Sequence, residues 1–153
     1  MPKFQTRHKV KHSAEAMFKL VADVERYPEF VPLCKSLHIR GCKETPQGAI
    51  LVADMVVAYK MISESFTSKV TLLPDQNQIV AEYLDGPFKH MENRWTFEPI
   101  EGEPGACHVV FYIDYEFRSR MLSGLMGTMF DKAFKKFTSA FEQRADLIYG
   151  SAA

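Results

Sequence analysis

The chain has 153 residues, its 19 Lys and Arg balance 19 Asp and Glu, and 46% of its residues are hydrophobic. This length fits a single domain over residues 1–153, and the apolar content excludes an intrinsically disordered chain. Zero net charge argues against a dedicated DNA binder, which needs surplus positive charge. With no run of 18 apolar residues and no secretory or transit signal, we expect a cytoplasmic protein.

The N-terminal part of the chain predicts a strand followed by a helix. Residues 4–12 alternate between polar and apolar side chains, which is typical of a half-solvated strand. Ser13 is a good N-cap for a helix that continues to about Val24. The prolines within residues 27–32 lack a backbone N–H and restrict the residue before them, so we expect a short, bent, apolar connection there.

The middle of the chain predicts six further strands. Turn signals rich in Gly, Pro, Asp and Asn separate them, and we place the strands near 34–43, 48–59, 61–73, 78–84, 90–98 and 107–118. Such short links favour antiparallel neighbours. The last two strands each carry one predominantly apolar face, which predicts that another element covers them: Met91, Asn93, Trp95, Phe97, Val109, Phe111, Ile113, Tyr115 and Phe117.

A long helix from about Arg120 to Tyr149 is predicted to be that cover. Its apolar residues recur at three- and four-residue steps: Met126, Phe130, Phe134, Phe137, Phe141, Ala145 and Ile148, widened by Leu122, Leu125, Met129 and Ala133. Gly150 is a plausible residue to end the helix. The predicted fold class is α+β, with one curved antiparallel sheet wrapped around a long C-terminal helix.

No catalytic or metal-binding constellation can be assembled from spacing. The sequence contains no Walker loop, no GxSxG elbow and no HExxH motif. His8 and His12 would stand roughly 13 Å apart along a strand, too far for one metal ion. Three cysteines without a CxxC pair favour reduced thiols. We therefore expect no enzyme activity, no metal and no cofactor, although catalytic groups contributed by separate strands are not excluded.

The apolar residues exceed what a simple core needs. Twelve Phe and eight Met accompany one sheet face and two helices, so either a well-filled core or a ligand cavity explains them. On the strand at 61–73, Glu64 and Ser68 fall on the same face as Phe66, and Asn93 is also directed inward. Each buried polar group requires a partner, which can be another side chain, water or a ligand.

Four motifs follow one another along the chain. They are Tyr27-Pro28-x-Phe30-Val31-Pro32-x-Cys34-x-Ser36; Asp85-Gly86-Pro87-Phe88-Lys89-His90 followed by Asn93-Arg94-Trp95-Thr96-Phe97; Val110-Phe111-Tyr112-Ile113-Asp114-Tyr115-Glu116-Phe117; and Ala133-Phe134-x-x-Phe137-x-x-Ala140-Phe141-x-x-Arg144-Ala145. Together they resemble the coenzyme Q-binding, START-like family of the polyketide cyclase/dehydrase superfamily. The resemblance covers nearly the whole chain. Leu33 departs from it, since many relatives carry Trp before the cysteine.

The resemblance implies a helix-grip fold of the START/Bet v 1 type, with a deep apolar cavity between sheet and C-terminal helix. It implies binding of ubiquinone or a similar polyisoprenoid quinone, as a lipid carrier that supports respiratory electron transfer or quinone biosynthesis. Bacterial members are also described as ribosome-association toxins that bind the large ribosomal subunit and block subunit joining. A cyclase-like enzyme is a second alternative, because related folds host enzymes.

The predicted ligand site combines apolar walls, a gate and a polar contact. Residues 27–32 are expected to form the gate, with Gly86-Pro87-Phe88 as the opposite lip, while Asn93 or Tyr115 donates a hydrogen bond to a head-group carbonyl. The full predicted set is Tyr27, Phe30, Val31, Phe66, Phe88, Asn93, Trp95, Phe111, Tyr115, Met126, Met129, Phe130 and Phe134.

The neutral total hides an uneven charge distribution. Residues 1–45 have a net charge of +4, residues 46–116 of −7, and residues 117–153 of +3. If the two ends meet in space, they form a modest basic surface. That surface would suit transient contact with anionic lipid at the inner membrane face, and it would also suit ribosomal RNA. An ordinary solvated surface is the simpler interpretation.

Overall fold

The computed structural model describes residues 3–59 and 61–150. Its strands form one antiparallel sheet in the order β1-β7-β6-β5-β4-β3-β2. The elements are β1 (Lys3–Val10), α1 (Ala14–Ala22), β2 (Cys34–Thr45), β3 (Gly48–Tyr59), β4 (Ile62–Leu73), β5 (Gln78–Asp85), β6 (Phe88–Ile100), β7 (Glu103–Phe117) and α2 (Arg120–Tyr149). Short 3₁₀ helices span Val24–Glu29 and Pro74–Gln76. All six predicted middle strands are present.

Local sequence explains where α1 begins and ends. The Ser13 side chain accepts a hydrogen bond from the Ala16 N–H at 3.1 Å, so the predicted N-cap is confirmed. The helix ends at Ala22, and the chain tightens into the 3₁₀ helix that contains Pro28. A proline can occupy this short helix because it needs no α-helical hydrogen bond there. The bent connection predicted for residues 27–32 therefore begins as a 3₁₀ turn.

The sheet register places the inward side chains in rows. Phe111 on β7 lies opposite Trp95 on β6 and Thr6 on β1. Along β7, every second residue from Val109 to Phe117 is buried, as the alternation predicts. The pairing of β2 with β3 is interrupted by two register shifts, at Cys34/Ser36 and at Ile39/Gly41, and β2 forms one edge of the sheet.

The long C-terminal helix covers the inner face of the sheet and confirms the helix-grip fold. Its buried residues are Met126, Phe130, Ala133, Phe134, Thr138, Phe141 and Ala145. Ile148 and Leu125 are each 51% exposed, so their predicted place in the apolar stripe is wrong. A 30-residue helix is about 45 Å long, and its buried residues lie between Met126 and Ala145.

The predicted single domain over residues 1–153 remains a prediction. Residues 1–2, 60 and 151–153 lie outside the described part of the chain.

Candidate functional site

A cavity of about 110 Å³ lies between the inner face of the sheet and α2. This volume is somewhat smaller than the roughly 150 Å³ of an engineered apolar cavity that binds benzene. Most of its lining is apolar. The lining residues are Val24, Tyr27, Val31, Pro32, Leu33, Cys34, Leu37, Ala53, Met55, Val57, Phe66, Ser68, Val70, Ile79, Ala81, Phe88, Met91, Asn93, Trp95, Phe111, Ile113, Tyr115, Phe130, Ala133, Phe134, Phe137 and Phe141.

Strands β2 to β7 form the floor of the cavity, and the middle of α2 forms its roof. Three small side chains, Ala53, Ser68 and Ala81, lie on the floor. Ala53 pairs with Ser68 across β3 and β4, and Ala81 on β5 pairs with Asn93 on β6. Because these side chains fill little volume, they leave space above the sheet where a core would carry Leu or Phe.

One side of the cavity is formed by residues 24–34, which we call the gate segment. The Tyr27 hydroxyl donates a hydrogen bond to the Val21 carbonyl, and burial raises the pKa of Tyr27, with smaller effects from Cys34 and Asp23. The gate segment is therefore tied to the end of α1 by a hydroxyl that keeps its proton.

The gate segment is also fastened to α2. The Glu29 carboxylate accepts a hydrogen bond from Arg144 at 2.6 Å, and the Arg144 guanidinium carbon lies 5.1 Å from the centre of the Phe30 ring. Phe30 packs edge-to-face on Phe141, with ring centroids 5.0 Å apart. Hydrogen bonds from Arg144 first, and then from Arg26, lower the pKa of Glu29. A charged pair and an aromatic contact thus hold the same segment.

The gate segment ends in a tight turn with an unusual residue. The Cys34 N–H donates to the Val31 carbonyl at 3.2 Å, and Leu33 has a φ of 67°. A type II turn with proline in its second position needs such a positive φ at its third position, where Gly or Asn is usual. Leu33 therefore adopts a costly backbone conformation and places a half-buried apolar side chain in the cavity wall.

Few polar groups face the cavity. Ser68 is 7% exposed, and among residues 3–59 and 61–150 none forms a hydrogen bond with its hydroxyl. The Asn93 Nδ2 donates to the Tyr112 carbonyl at 2.9 Å. Burial, with a smaller effect of Asp131, raises the pKa of Tyr115 to about 12. Burial also raises the pKa of the Cys34 thiol to about 11, so both groups are protonated near neutral pH.

A family model described as polyketide cyclase / dehydrase and lipid transport matches residues 10–142. The chain belongs to this family. The resemblance in the four motifs is thereby confirmed. Among the described residues, no helix is both long and apolar enough to cross a membrane.

Two relatives that are similar in sequence are named for different functions. The chain is 37% identical over 141 residues to the ribosome association toxin RatA of Vibrio cholerae, which covers 92% of this chain and 93% of that protein. It is 34% identical over 140 residues to the coenzyme Q-binding protein COQ10 homolog B, mitochondrial, of Xenopus laevis. That match covers 90% of this chain and 55% of the relative, so the chain spans about half of that protein's length.

A solved structure supports the fold of the polyketide cyclase family. The Zhui aromatase/cyclase from Streptomyces sp. R1128 superimposes with a TM-score of 0.82 and covers 99% of both chains. At 16% identity, this likeness shows the fold alone. The two sequence relatives, in contrast, are named for binding or for ribosome association.

Within this family fold, the structure brings most of the predicted site residues together. The ten that line the cavity are Tyr27, Val31, Phe66, Phe88, Asn93, Trp95, Phe111, Tyr115, Phe130 and Phe134. Their binding of a ligand remains a prediction. Asn93 differs from expectation in one respect, because an amide hydrogen that was expected to reach the ligand is bound to the Tyr112 carbonyl instead.

Three predicted residues do not line the cavity. Phe30 turns away from it because it packs between Phe141 and the Arg144 guanidinium. Met126 is fully buried one helical turn before Phe130, and Met129 is half-buried beside the inward stripe of α2.

The predicted lip at Phe88 is also wrong. Phe88 is 1% exposed, stacks on Phe117 with centroids 4.9 Å apart and packs edge-to-face on Phe66. It is an inner wall of the cavity. Glu64, expected to face inward, is half-buried and does not line the cavity.

Several lining residues were missed. Ala53, Met55 and Val57 alternate along β3 with the period of a strand, and this pattern could have identified them. The small residues on the floor carry no such signal, because a small apolar residue fits a tight core as well as a cavity wall.

Two histidines join β1 and the residues after it to α2. His12 is buried and lies 2.7 Å from Asp146, and His8 lies 3.0 Å from Glu142. Within the part of the chain that the structure describes, no group of three His, Cys, Asp or Glu residues is arranged to hold a metal ion.

Proposed function

We propose that the cavity beneath α2 binds a polyisoprenoid quinone such as ubiquinone, and that the protein acts as a lipid carrier for respiration or quinone biosynthesis. The observation that supports this most is the apolar cavity with only a few polar side chains on its floor. Such a lining suits a hydrophobic ligand with one polar end. The name of the Xenopus relative points in the same direction.

The size of the cavity constrains how such a ligand would be held. A cavity of about 110 Å³ holds at most about one small aromatic ring, so a long isoprenoid tail does not fit inside. The tail must leave between the gate segment and α2, or displace part of α2. Either arrangement keeps much of the tail near the protein surface, where a bilayer could cover it.

The end of the sheet near the start of α2 offers a surface for that bilayer. Large apolar side chains are exposed there: Met61 at 100%, Leu84 at 53%, Met121 at 70% and Leu125 at 51%. Exposed basic residues lie in the same region of the fold, at Lys35, Lys89, Arg118 and Arg120. Apolar residues among basic ones suit a membrane that contains anionic lipid. We propose transient contact with the inner membrane face at this end.

Quinone binding is tested by extraction and by reloading. Protein purified from its native cytoplasm is extracted with organic solvent, and the extract is examined for quinone by mass spectrometry. We expect a quinone in the wild-type extract and none with Phe130→Glu, because a charge in the cavity roof opposes an apolar ligand. The matched control is Leu147→Glu, which adds the same charge at a position 77% exposed. Repeatedly empty extracts, together with no binding of added ubiquinone, contradict the proposal.

Membrane contact is tested by flotation with vesicles of phosphatidylcholine containing phosphatidylglycerol. We expect wild-type protein to float with them, and the Met121→Glu/Leu125→Glu variant to remain at the bottom. Leu147→Glu lies at the opposite end of α2 and should float like wild type. Equal flotation of both variants would place the contact elsewhere.

A second candidate function is association with the large ribosomal subunit. It is favoured by the match to RatA over 93% of that protein's length. Exposed Lys132 and Lys136 on α2 would suit ribosomal RNA. The test is sedimentation with purified large subunits, in which Lys132→Glu/Lys136→Glu should reduce co-migration and Lys43→Glu on β2 should not. No co-migration of wild type, and normal subunit joining, would exclude this function.

A further inference from the structure

Two polar side chains stand on the apolar floor of the cavity, on strands separated by β5. Ser68 on β4 is more than nine-tenths buried, and no described residue forms a hydrogen bond with its hydroxyl. Asn93 on β6 is half-buried and lines the same space. Ala81 on β5 pairs with Asn93 on one side and with Val70 on the other. Ser68 itself pairs with Tyr83, two residues further along β5, so the two polar side chains stand in different rows of the floor.

The orientation of the Asn93 amide follows from its partner. Its Nδ2 lies 2.9 Å from the carbonyl oxygen of Tyr112, which can only accept a hydrogen bond. The opposite orientation would bring two oxygen atoms together at that distance, so the amide nitrogen must face β7. The Asn93 Oδ1 is left as an acceptor, and among the described residues no group donates to it.

An acceptor in this position favours a ligand that can donate. A ligand that covers this acceptor without donating to it leaves it unpaired and cut off from water, whereas a ligand hydroxyl would satisfy it. A hydroxyl can donate to the Asn93 Oδ1, while the Ser68 hydroxyl can bond to a different oxygen of the head. A quinone carbonyl can only accept, and against Oδ1 it would bring two acceptors together.

We propose that Asn93 makes the cavity selective for an aromatic head that carries a hydroxyl group, a hydroquinone or a phenol, over the fully oxidised quinone. This inference rests on the proposed quinone-binding function and adds the chemical form of the head group to it. A site arranged to bond a hydroxyl discriminates strongly against the analogue that lacks it. We therefore expect at least about a tenfold difference in affinity between the two forms.

The test compares three ligands of nearly the same shape. Under anaerobic conditions, wild-type protein is titrated with ubiquinone carrying one isoprenoid unit, with its hydroquinone, and with the dimethyl ether of that hydroquinone. Binding is followed by quenching of Trp95, which is the one tryptophan of the chain and lines the cavity. The hydroquinone should bind about tenfold more tightly than the quinone, and the ether should lose that advantage because it cannot donate.

Variants assign the preference to Asn93. In Asn93→Leu, the affinities for hydroquinone and quinone should come within about threefold of each other. The control Glu92→Gln lies on the outer face of the same strand and should keep the full difference. If Asn93→Leu does not fold, the wild-type comparison of hydroquinone with its ether still decides. Equal wild-type affinity for all three ligands would overturn this inference and leave quinone binding intact, whereas no binding of any of them would refute the proposed function itself.

Discussion

The two halves of α2 are attached to the molecule in different ways. In the second half, five side chains bond to other parts of the fold: Thr138 to Thr6, Glu142 to His8, Arg144 to Glu29, Asp146 to His12 and Tyr149 to the Ala16 carbonyl. In the first half, over residues 120–137, aromatic packing takes their place, with Phe130 and Phe134 against Tyr115. Among the described residues, no side-chain hydrogen bond or ion pair joins this half to another element.

This difference in attachment implies that the first half of α2 can move while the second half stays in place. Polar contacts are directional and break when a helix moves by a few ångströms, whereas an apolar surface that is uncovered can be covered again by an apolar ligand. The first half of α2 can therefore rise over a ligand larger than the 110 Å³ cavity without breaking a polar contact. The second half keeps the helix and the gate segment in register. Four predictions test this division.

Truncation should have the largest effect in the second half. Phe141 is 1% exposed and contacts Tyr27, Phe30 and Trp95. We expect Phe141→Ala to reduce the free energy of unfolding by about 3–5 kcal/mol in urea titrations. Met121→Ala, at a position 70% exposed in the first half, should change it by less than about 0.5 kcal/mol. Similar losses from both variants would contradict the comparison.

Backbone hydrogen exchange should proceed at different rates in the two halves of α2. We expect backbone amides of residues 124–130 to exchange at least about tenfold faster than those of residues 138–146, because local opening of the first half breaks fewer contacts. Bound quinone should slow exchange in the first half more than in the second. Mass spectrometry of peptides from each half measures this, and uniform exchange along α2 would refute a mobile first half.

Replacing the glycines in the first half of α2 should make that half less mobile and test whether its mobility matters for ligand uptake. A Cβ added to Gly124 or Gly127 meets no atom within 4 Å, so alanine fits at both positions. Glycine inside a helix costs about 0.5–1 kcal/mol relative to alanine. Gly124→Ala/Gly127→Ala should therefore raise the free energy of unfolding by about 1–2 kcal/mol and slow the uptake of quinone. Faster uptake would show that the first half does not open for the ligand.

The smallest effect concerns the ion pair between the gate segment and the second half. Arg144 and Arg26 lower the pKa of Glu29 from its ordinary 4.5, so the folded protein binds this proton less readily than the unfolded chain does. The resulting stabilisation is present above about pH 4.5 and is lost as the pH falls through the lowered folded value.

The stability difference between wild type and Glu29→Gln should therefore shrink on acidification. It is measured by urea unfolding at about pH 6 and about pH 3. The effect is small because Glu29 is 44% exposed and the pair is screened by solvent. A difference that grows at low pH would contradict the assignment of the ion pair.

Hydrophobic periodicity predicted most of the fold, and it succeeded in elements where many residues follow the same spacing. The bounds of α2 follow from a stripe of aromatic residues and from Gly150, and they agree with the structure. The Glu29–Arg144 pair joins positions 115 residues apart, and no local pattern indicates it. The same holds for the positive φ of Leu33, which arises because the turn must connect Pro32 to β2.

The sequence predicted the large residues that line the cavity better than it predicted the open space between them. Large residues such as Trp95 and Phe111 were identified by alternation, since they face inward whether or not a cavity exists. What creates the space is the set of small residues opposite them, and in the sequence those look like ordinary strand positions. The orientation of Asn93 depends on the carbonyl of a neighbouring strand, which only the register supplies.

The interrupted pairing of β2 has a consequence for how copies of this chain meet. An edge strand presents unpaired N–H and C=O groups that invite a strand from another molecule. The two register shifts in β2 break the regular spacing of those groups, and the exposed Lys35 and Lys43 add positive charge along the same edge. A second copy approaching in the antiparallel sense would meet like charge and a mismatched ladder. The outer edge of β2 is thus built against sheet-to-sheet aggregation.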